Sequence, residues 1–366
     1  MKVLIDDGLR IQLGTGIGNY CSHLYRSLVK NKKQDDIFNL TDFRPSAKNR
    51  KIKRLQYMWY INSRQFRKTA SQYDAVHFAG QFMPFIKTPG VKYIVTVHDL
   101  TSYIHPETLS PLAAFISKHK IGRIMRNADA ILTVSNSVKK EMEEYFPQSA
   151  SKVTAIYPGN YDNVKKIEDV SHYDNPKIEA IKDSPFFLFV GTIEKRKNAG
   201  LIIDAFIKLK DTDPKAKEYK LILAGRKGFG FDEFEEKANE SNYKEDIVFA
   251  GYTTNDDCSR LYSKAAAYIF PTVYEGFGST QLECMTCNTP LILSDIPTNR
   301  EVSSDYGMFF SLSDPATLVQ QMAKIVSGEY DYPAHRALAE EYLKKFSWDE
   351  IASQVHHFYK SILKVN

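Results

Sequence analysis

The sequence predicts an α/β protein built from two doubly wound, parallel-sheet domains. Three observations carry that expectation. The chain has 366 residues, which suits two domains of roughly 150–200 residues better than one. Short apolar runs alternate with amphipathic stretches, and the runs are continuously apolar, as expected of strands covered by helices on both faces. The alternation breaks near the middle of the chain and then starts again.

Taken in order, Val3–Ile5 reads as a strand and Ile17–Val29 as a helix. The acidic pair Asp35-Asp36 precedes another strand. Ala75–Phe78, Tyr93–Val97, Ala130–Val134 and Val153–Ile156 are further strands, with helical spacing in Ser110–Arg126 and Val138–Tyr145 between them. Ser135 or Asn136 would cap the second of these helices. Tyr157-Pro158-Gly159-Asn160 breaks the pattern, and a polar stretch of weak periodicity follows, read as a linker over about 158–184. The second series then runs strand Phe186–Val190, helix Leu201–Leu209, strand Lys220–Ala224, helix Phe231–Asn239, strand Ile247–Phe249, helix Asn255–Ala265, strand Ala267–Phe270, helix Thr280–Cys287 and strand Pro290–Leu293. Helices Ala316–Val326, Pro333–Lys345 and Trp348–Leu363 close the chain. The expected division is 1–165 and 166–345, with 346–366 as a final helix returning to the first domain.

Composition narrows the function classes. Hydrophobic residues make up 43% and charged residues 25%, an ordinary balance for a folded globular protein. The first apolar run stops at Asp6-Asp7, so no signal peptide is expected, and no window approaches the roughly 20 apolar residues of a membrane span. The expected location is cytoplasmic, with the inner face of the cell membrane as the surface it would visit. Four cysteines, Cys21, Cys258, Cys284 and Cys287, do not suggest a disulfide framework in a chain of this length. The net charge of +5 is unevenly placed: Arg44 to Lys68 carries nine basic residues and no acidic one. Tyr57, Trp59, Tyr60 and Phe66 interleave with those cations, a composition suited to an anionic membrane surface. A solvated basic helix would leave the same trace.

Four motifs carry chemistry. Gly14-Thr15-Gly16-Ile17-Gly18 lies between the first strand and the first helix, where glycines let backbone N–H groups approach an anion. A tight turn would look the same, and the spacing is not that of a dinucleotide fingerprint. His98-Asp99 ends a strand, where ligands of open α/β sheets bind, although a turn pair needs no ligand. Gly191-Thr192-Ile193-Glu194-Lys195-Arg196-Lys197-Asn198 sets adjacent cations where a helix is expected to open, against its dipole. A bound dianion would resolve that conflict, whereas a solvated charge run would not. In Glu275-Gly276-Phe277-Gly278-Ser279-Thr280-Gln281-Leu282-Glu283, two carboxylates frame seven residues at a strand end and helix start. Carboxylates there suit vicinal hydroxyls, and the glycines expose backbone N–H groups.

The segment Phe270–Asp295, FPTVYEGFGSTQLECMTCNTPLILSD, resembles the signature of retaining glycosyltransferases of family 4. The family's E-x7-E element matches Glu275 and Glu283, and its Gly-Phe-Gly stretch matches Gly276–Gly278. FLFVGTIEKRKN and LILAGR are similar to the family's phosphate loop and following strand, and GTGIGNY, VTVHDL and ILTVSN to its first domain. The resemblance takes in the chain apart from about 38–73, and the R-K-N sequence leans towards mannosyltransferases of bacterial polysaccharide synthesis. It implies the GT-B fold, two Rossmann-like domains facing across a cleft, the first binding acceptor and the second a nucleotide-sugar. It implies that Glu275 holds donor-sugar hydroxyls with help from Phe277, Gly278 and Ser279, and that Glu283 holds ribose hydroxyls. Arg196 and Lys197 would meet the diphosphate, His98 the sugar near the reaction centre, and Gly16 a phosphate or the acceptor.

The sequence departs from the family at three places. Asn288 stands where a glycine is usual, and asparagine is the next most tolerant residue of the left-handed conformation. Thr192 stands where many members carry arginine, which transfers phosphate binding to Arg196. Cys284 fills an alanine position, so Cys284 and Cys287 read as small buried residues rather than a redox or zinc pair. Asp211-Thr212-Asp213 has the D-x-D form of metal-dependent glycosyltransferases but lacks a strand leading into it. No metal or cofactor and no nucleic acid are expected. The expected reaction is hexose transfer, mannose from GDP-mannose favoured, to a glycan or lipid-linked glycan. Another GT-B enzyme, such as a sugar-nucleotide epimerase or phosphorylase, and a non-catalytic sugar or nucleic-acid binder are the competing readings.

Overall fold

The structure is a computed structural model that describes residues 1–6, 16–47 and 49–364. Gly14 and Thr15 of the first glycine turn lie outside the described residues. The chain forms two compact units, one of residues 1–102, 115–160 and 345–366, the other of residues 103–114 and 161–344. Chain order does not anticipate that Tyr103–Ala114 belongs with the second unit; there the His105 ring packs on Tyr274 at 5.8 Å between centroids.

The first unit carries strands β1 (Lys2–Ile5), β2 (Ile37–Leu40), β3 (Ala75–Phe78), β4 (Lys92–Val97), β5 (Ala130–Thr133) and β6 (Val153–Ala155). They form one parallel sheet in the order β2-β1-β3-β4-β5-β6. Its helices are α1 (Gly16–Lys30), α2 (Arg50–Ile61), α3 (Arg64–Ala70), the short α4 (Thr101–Ile104, running into the second unit), α5 (Pro111–Asn127) and α6 (Asn136–Tyr145). β3 and β5 are buried at every position, and their runs are apolar except for His77 and Thr133, both buried as well. Ser135 is the cap of α6, its hydroxyl accepting from the Val138 N–H at 3.2 Å.

The second unit begins with α7 (Pro176–Glu179) inside the expected linker. It continues with β7 (Phe186–Val190), α8 (Ala199–Thr212), β8 (Lys220–Ala224), α9 (Phe231–Glu240), β9 (Ile247–Gly251), α10 (Asn255–Lys264), β10 (Ala267–Phe270), α11 (Thr280–Thr286), β11 (Leu291–Ser294), α12 (Pro297–Ser303), β12 (Gly307–Phe310), α13 (Ala316–Ser327) and α14 (Tyr332–Tyr342). Its sheet is parallel in the order β12-β11-β10-β7-β8-β9. α12 and β12 are absent from the sequence reading. β12 is an edge strand of only four residues, Gly-Met-Phe-Phe, too short a run to show a period of its own. Asn288, after α11, has φ +59, the left-handed stop that its position requires.

The last helix, α15 (Trp348–Leu363), returns to the first unit and packs Ile351, Val355 and Tyr359 into the same core as Leu24 and Leu28 of α1. Polar contacts fix its register. Lys30 Nζ meets Asp349 at 2.7 Å, His356 Nε2 meets Asp36 at 2.5 Å, and the Tyr359 hydroxyl lies 2.6 Å from Nδ1 of buried His77.

Candidate active site

In the second unit, the segment after β7 sets out the cationic pair. The ladder between β7 and β8 continues past both strand ends. The N–H groups of Gly191, Ile193 and Lys195 donate to the carbonyls of Ala224, Arg226 and Phe229, and Gly228 N–H donates back to Ile193, each at 2.9 Å. The two backbones touch at Gly225, whose φ is +144; a Cβ there would lie 1.8 Å from the Gly191 carbonyl oxygen. Lys195–Lys197 then form a 3-10 turn, Asn198 is left-handed at φ +55, and α8 starts only at Ala199. Arg196 and Lys197 therefore stand in the turn that leads into the N-terminus of α8, just before its first residue.

Their charges meet Glu275. Arg196 Nη1 donates to Glu275 Oε1 at 2.7 Å, Lys197 Nζ binds the same oxygen, and Thr272 Oγ1 donates to it at 3.1 Å. Arg196 Nη2 also reaches Glu194 at 2.9 Å. All three contacts fall on Oε1, and no described residue donates to Oε2. The cluster is shielded: the side chains of Arg196, Lys197 and Glu275 keep 19%, 14% and 10% of their surface. Burial works to raise the Glu275 carboxyl, but Arg196 and Lys197 outweigh it and hold it below the usual carboxylate value. Burial likewise pushes the Lys197 ammonium down, with Glu275 opposing. Lys197 also sits 4.5 Å from the centroid of the Phe270 ring at the end of β10.

The loop from β10 to α11 is pinned from beneath. Thr298 donates to the Glu275 carbonyl at 2.9 Å, and Val273 N–H to the Arg196 carbonyl at 3.0 Å. Gly278 has φ +81, and a Cβ there would meet the buried Gln281 amide at 2.4 Å. Gln281 in turn bonds Asn299 at 3.0 Å. Phe277 is buried. Ser279 precedes α11 without a side-chain cap, and Glu283, half-buried in its first turn, accepts from the Tyr262 hydroxyl at 3.1 Å. Burial raises the Glu283 carboxyl to about 7, against the Tyr262 bond. Cys284 and Cys287 are buried. Asp211 accepts from the Tyr243 hydroxyl at 2.8 Å, and Asp213 caps a 3-10 turn through the Lys215 N–H at 2.9 Å, so both have structural partners.

In the first unit, His98 follows β4. Its Nε2 lies 2.7 Å from the Ala79 carbonyl, a bond that places the proton on Nε2 and leaves Nδ1 as acceptor. Burial, together with Lys120, holds its pKa below the ordinary value, against the Ala79 bond and Asp99. The Tyr20 ring of α1 meets it edge-on at 5.1 Å. Gly16, the first residue of α1, has open space where a Cβ would be. Gln81, left-handed at φ +58, holds the turn when its amide oxygen faces the N–H groups of His98 and Asp99 at 2.7 and 3.1 Å. Sequence reasoning missed Thr272, Thr298 and Gln81. The only available signal was a polar residue just past a strand end, which many turns share.

The basic stretch divides in two. Tyr57 and Phe66 are buried in the first unit's core, Tyr57 with its hydroxyl 2.5 Å from Asp6, so neither faces solvent as the membrane reading supposed. Trp59 is 84% exposed, with Ile52 and Leu55 beside it on α2. Among the described residues no helix is long and apolar enough to cross a membrane.

Two buried parallel sheets, with a shielded cation–carboxylate cluster beyond the strand ends of one, describe a two-domain α/β protein with a charged site at the place where ligands of such sheets bind. Known proteins agree. Residues 15–160 match the Glycosyltransferase Family 4 model, and residues 173–345 match that of Glycosyl transferases group 1. The chain is a glycosyltransferase of family 4 with the α/β GT-B fold. It is 26% identical to O-antigen chain mannosyltransferase B of Escherichia coli over 73% of this chain and 70% of that one. It is 26% identical to the serotype-specific mannosyltransferase WbdA of Escherichia coli over 71% of this chain but only 32% of the relative, so the chain spans about a third of WbdA. Sucrose-phosphate synthase of Thermosynechococcus elongatus superposes with a TM-score of 0.73 at 16% identity, covering 100% of this chain and 99% of the other. Anabaena Alr3699/HepE in complex with UDP-glucose gives 0.68 at 15% identity, covering 99% and 100%.

Proposed function

We propose that this enzyme transfers a hexose from a nucleotide-sugar to a glycan or lipid-linked glycan in surface polysaccharide synthesis, with retention of configuration and without a metal ion. The observation that carries the reading is the meeting of Arg196 and Lys197 on Glu275. Two shielded cations held by one carboxylate oxygen form a standing substitute for a diphosphate contact. Donor binding would draw both cations onto phosphate, where they stabilise the charge that grows on the leaving oxygen. Glu275, released from them, would turn to the hydroxyls of the transferred sugar. Fixed cations supply what a bound metal supplies elsewhere. Glu283 would take the ribose hydroxyls, and neutral His98 would accept from the sugar through Nδ1.

GDP-mannose is the favoured donor, because the similar proteins include E. coli mannosyltransferases. The UDP-glucose complex of a fold neighbour keeps uridine donors in the test. The exposed α2 stripe supports a peripheral position on an anionic membrane. The test is release of nucleoside diphosphate from GDP- and UDP-sugars, with lipid-linked acceptors, in excess EDTA. Turnover should persist in EDTA, and Lys197→Ala should reduce it at least a hundredfold with the fold intact. Restoration by manganese after loss in EDTA, or an unaffected Lys197→Ala enzyme, would overturn the reading.

A further inference from the structure

The bond from His98 Nε2 to the Ala79 carbonyl, at 2.7 Å, fixes one vertex of the imidazole. A ring held at one vertex can still rock about it, and Nδ1 then sweeps an arc. Packing is what stops the rocking. The Tyr20 ring stands at 88° to the imidazole with 5.1 Å between centroids, a contact distance for perpendicular rings. The Tyr20 hydroxyl lies 3.5 Å from Thr96 Oγ1, at the limit of a hydrogen bond, while Thr96 Oγ1 makes the shorter contact, 2.8 Å, with His77 Nε2. Buried Tyr20 is therefore held by its neighbours more than by its hydroxyl.

The neighbour that matters is Trp348, the first residue of α15, whose indole lies 6.1 Å from the Tyr20 ring at 53°. Tyr20 and His23 stand three residues apart on α1, so they share a helix face. His23 stacks on the same indole at 5.5 Å and 21°. On another side the indole is seated against Gly159, where a Cβ would lie 2.6 Å from its Cγ and Cδ2 atoms. The φ of Gly159 is not positive, so the glycine supplies room there and not an unusual turn. Asn160 N–H donates to the Phe346 carbonyl at 2.7 Å and fixes the two backbone segments beside that seat. Aromatic contacts thus run from the start of the last helix through Tyr20 to His98, all within the first unit.

We propose that Tyr20 and Trp348 are positioning residues of the transfer reaction, holding the His98 ring so that Nδ1 keeps the one orientation from which it accepts from the donor sugar. The inference rests on the proposed role of His98. Both residues act through His98: Tyr20 blocks the rocking of the imidazole, and Trp348, clamped between His23 and Gly159, keeps Tyr20 from withdrawing. A small displacement of a group that meets the reacting sugar lowers turnover without touching the nucleotide.

The test uses the full chain with isotope-labelled histidine, read by its imidazole nitrogen resonances. The His98 signals are those lost in His98→Ala. The wild-type protein should show His98 as a single tautomer with the proton on Nε2. Tyr20→Leu and Trp348→Leu should shift or split these signals, and Tyr20→Phe and Trp348→Phe, which keep a ring in place, should restore them. With GDP-mannose and UDP-glucose as donors, Tyr20→Leu and Trp348→Leu should each lower kcat about tenfold while GDP and UDP bind as to wild type. Added to His98→Ala, Trp348→Leu should lower kcat no further. Trp348 is half-buried at the start of its helix, so its variant serves if Tyr20→Leu does not fold. His98 signals that stay unchanged in the leucine variants would overturn the proposal. So would a kcat loss that adds in full to that of His98→Ala, or a lower Tm with the kcat of the folded fraction intact. Wild-type turnover in His98→Ala, with the His98 signals still moved by the leucine variants, would fail the donor-sugar reading alone and leave the hold on the His98 ring standing.

Discussion

At the residue scale, the two glutamates of the E-x7-E element are chemically unlike. Glu275 is held ionised by two cations, while burial raises Glu283 to about 7. A raised carboxyl favours the protonated form in the folded protein, so its ionisation lowers stability as pH rises from the ordinary carboxylate range through 7, and the loss is complete above it. The same proton bears on binding, because an ionised Glu283 is the stronger acceptor for hydroxyls. Affinity for the intact nucleotide-sugar, whose diphosphate diester has no second proton to lose near neutrality, should fall severalfold from pH 8 to pH 6. Glu283→Gln should bind weakly at both and flatten the profile. Calorimetric titration at the two pH values checks this, and a wild-type profile that is already flat would exclude Glu283 from the nucleotide site. The spacing of these glutamates was legible in the sequence because two carboxylates and two glycines at a strand end are rarely assembled by turn formation alone. Their difference was not legible. It depends on Arg196 and Lys197, which are 79 and 78 residues from Glu275 in the chain, and on the burial of Glu283 by the folded unit.

At the scale of elements, the parallel strands were the most legible feature. β3, β7, β8 and β10 begin and end where they were expected to, because burial on both faces keeps them almost wholly apolar, with Lys220 at the start of β8 and His77 within β3 as the polar positions. α2 and α3 were not legible as elements. Their buried face is Tyr57, Ile61, Phe66 and Ala70, and the cations around those residues masked the period. α15 was legible as a helix, while its anchoring through buried His77 was not. Tyr359→Phe would leave His77 Nδ1 without its partner in a buried setting. That should cost about 1–3 kcal/mol, seen as a Tm several degrees lower for the first unit. The donor affinity of the second unit should be unchanged, and equal stability of the two proteins would show that the bond contributes nothing.

At the scale of the whole molecule, the chain closes the first unit only with its final helix, after completing the second. Truncation after Lys344 removes Ile351, Val355 and Tyr359 from the first unit's core and leaves residues 161–344 of the second intact. Limited proteolysis of the truncated chain should release peptides from 1–160 at far lower protease concentration than in the full chain, while the second unit resists as before. Equal sensitivity of both units would contradict a core shared with α15. The break near the middle of the chain was legible because its composition changes there. That Tyr103–Ala114 joins the second unit was not, since nothing in so short a segment marks the His105–Tyr274 contact that it makes there.

The extension of the ladder beyond β7 and β8 has an entropic consequence. A loop that meets an anion with flexible backbone must lose its conformational freedom at the moment of binding, at about 1–2 kcal/mol per residue fixed. Here Gly191, Ile193 and Lys195 are already locked to their neighbours by cross-strand bonds, and the close approach at Gly225 leaves the two backbones no room to slide. That ordering is completed during folding. In the proposed reading, the segment carrying Arg196 and Lys197 would therefore meet the diphosphate with its backbone already ordered, leaving side-chain rearrangement as the cost of binding.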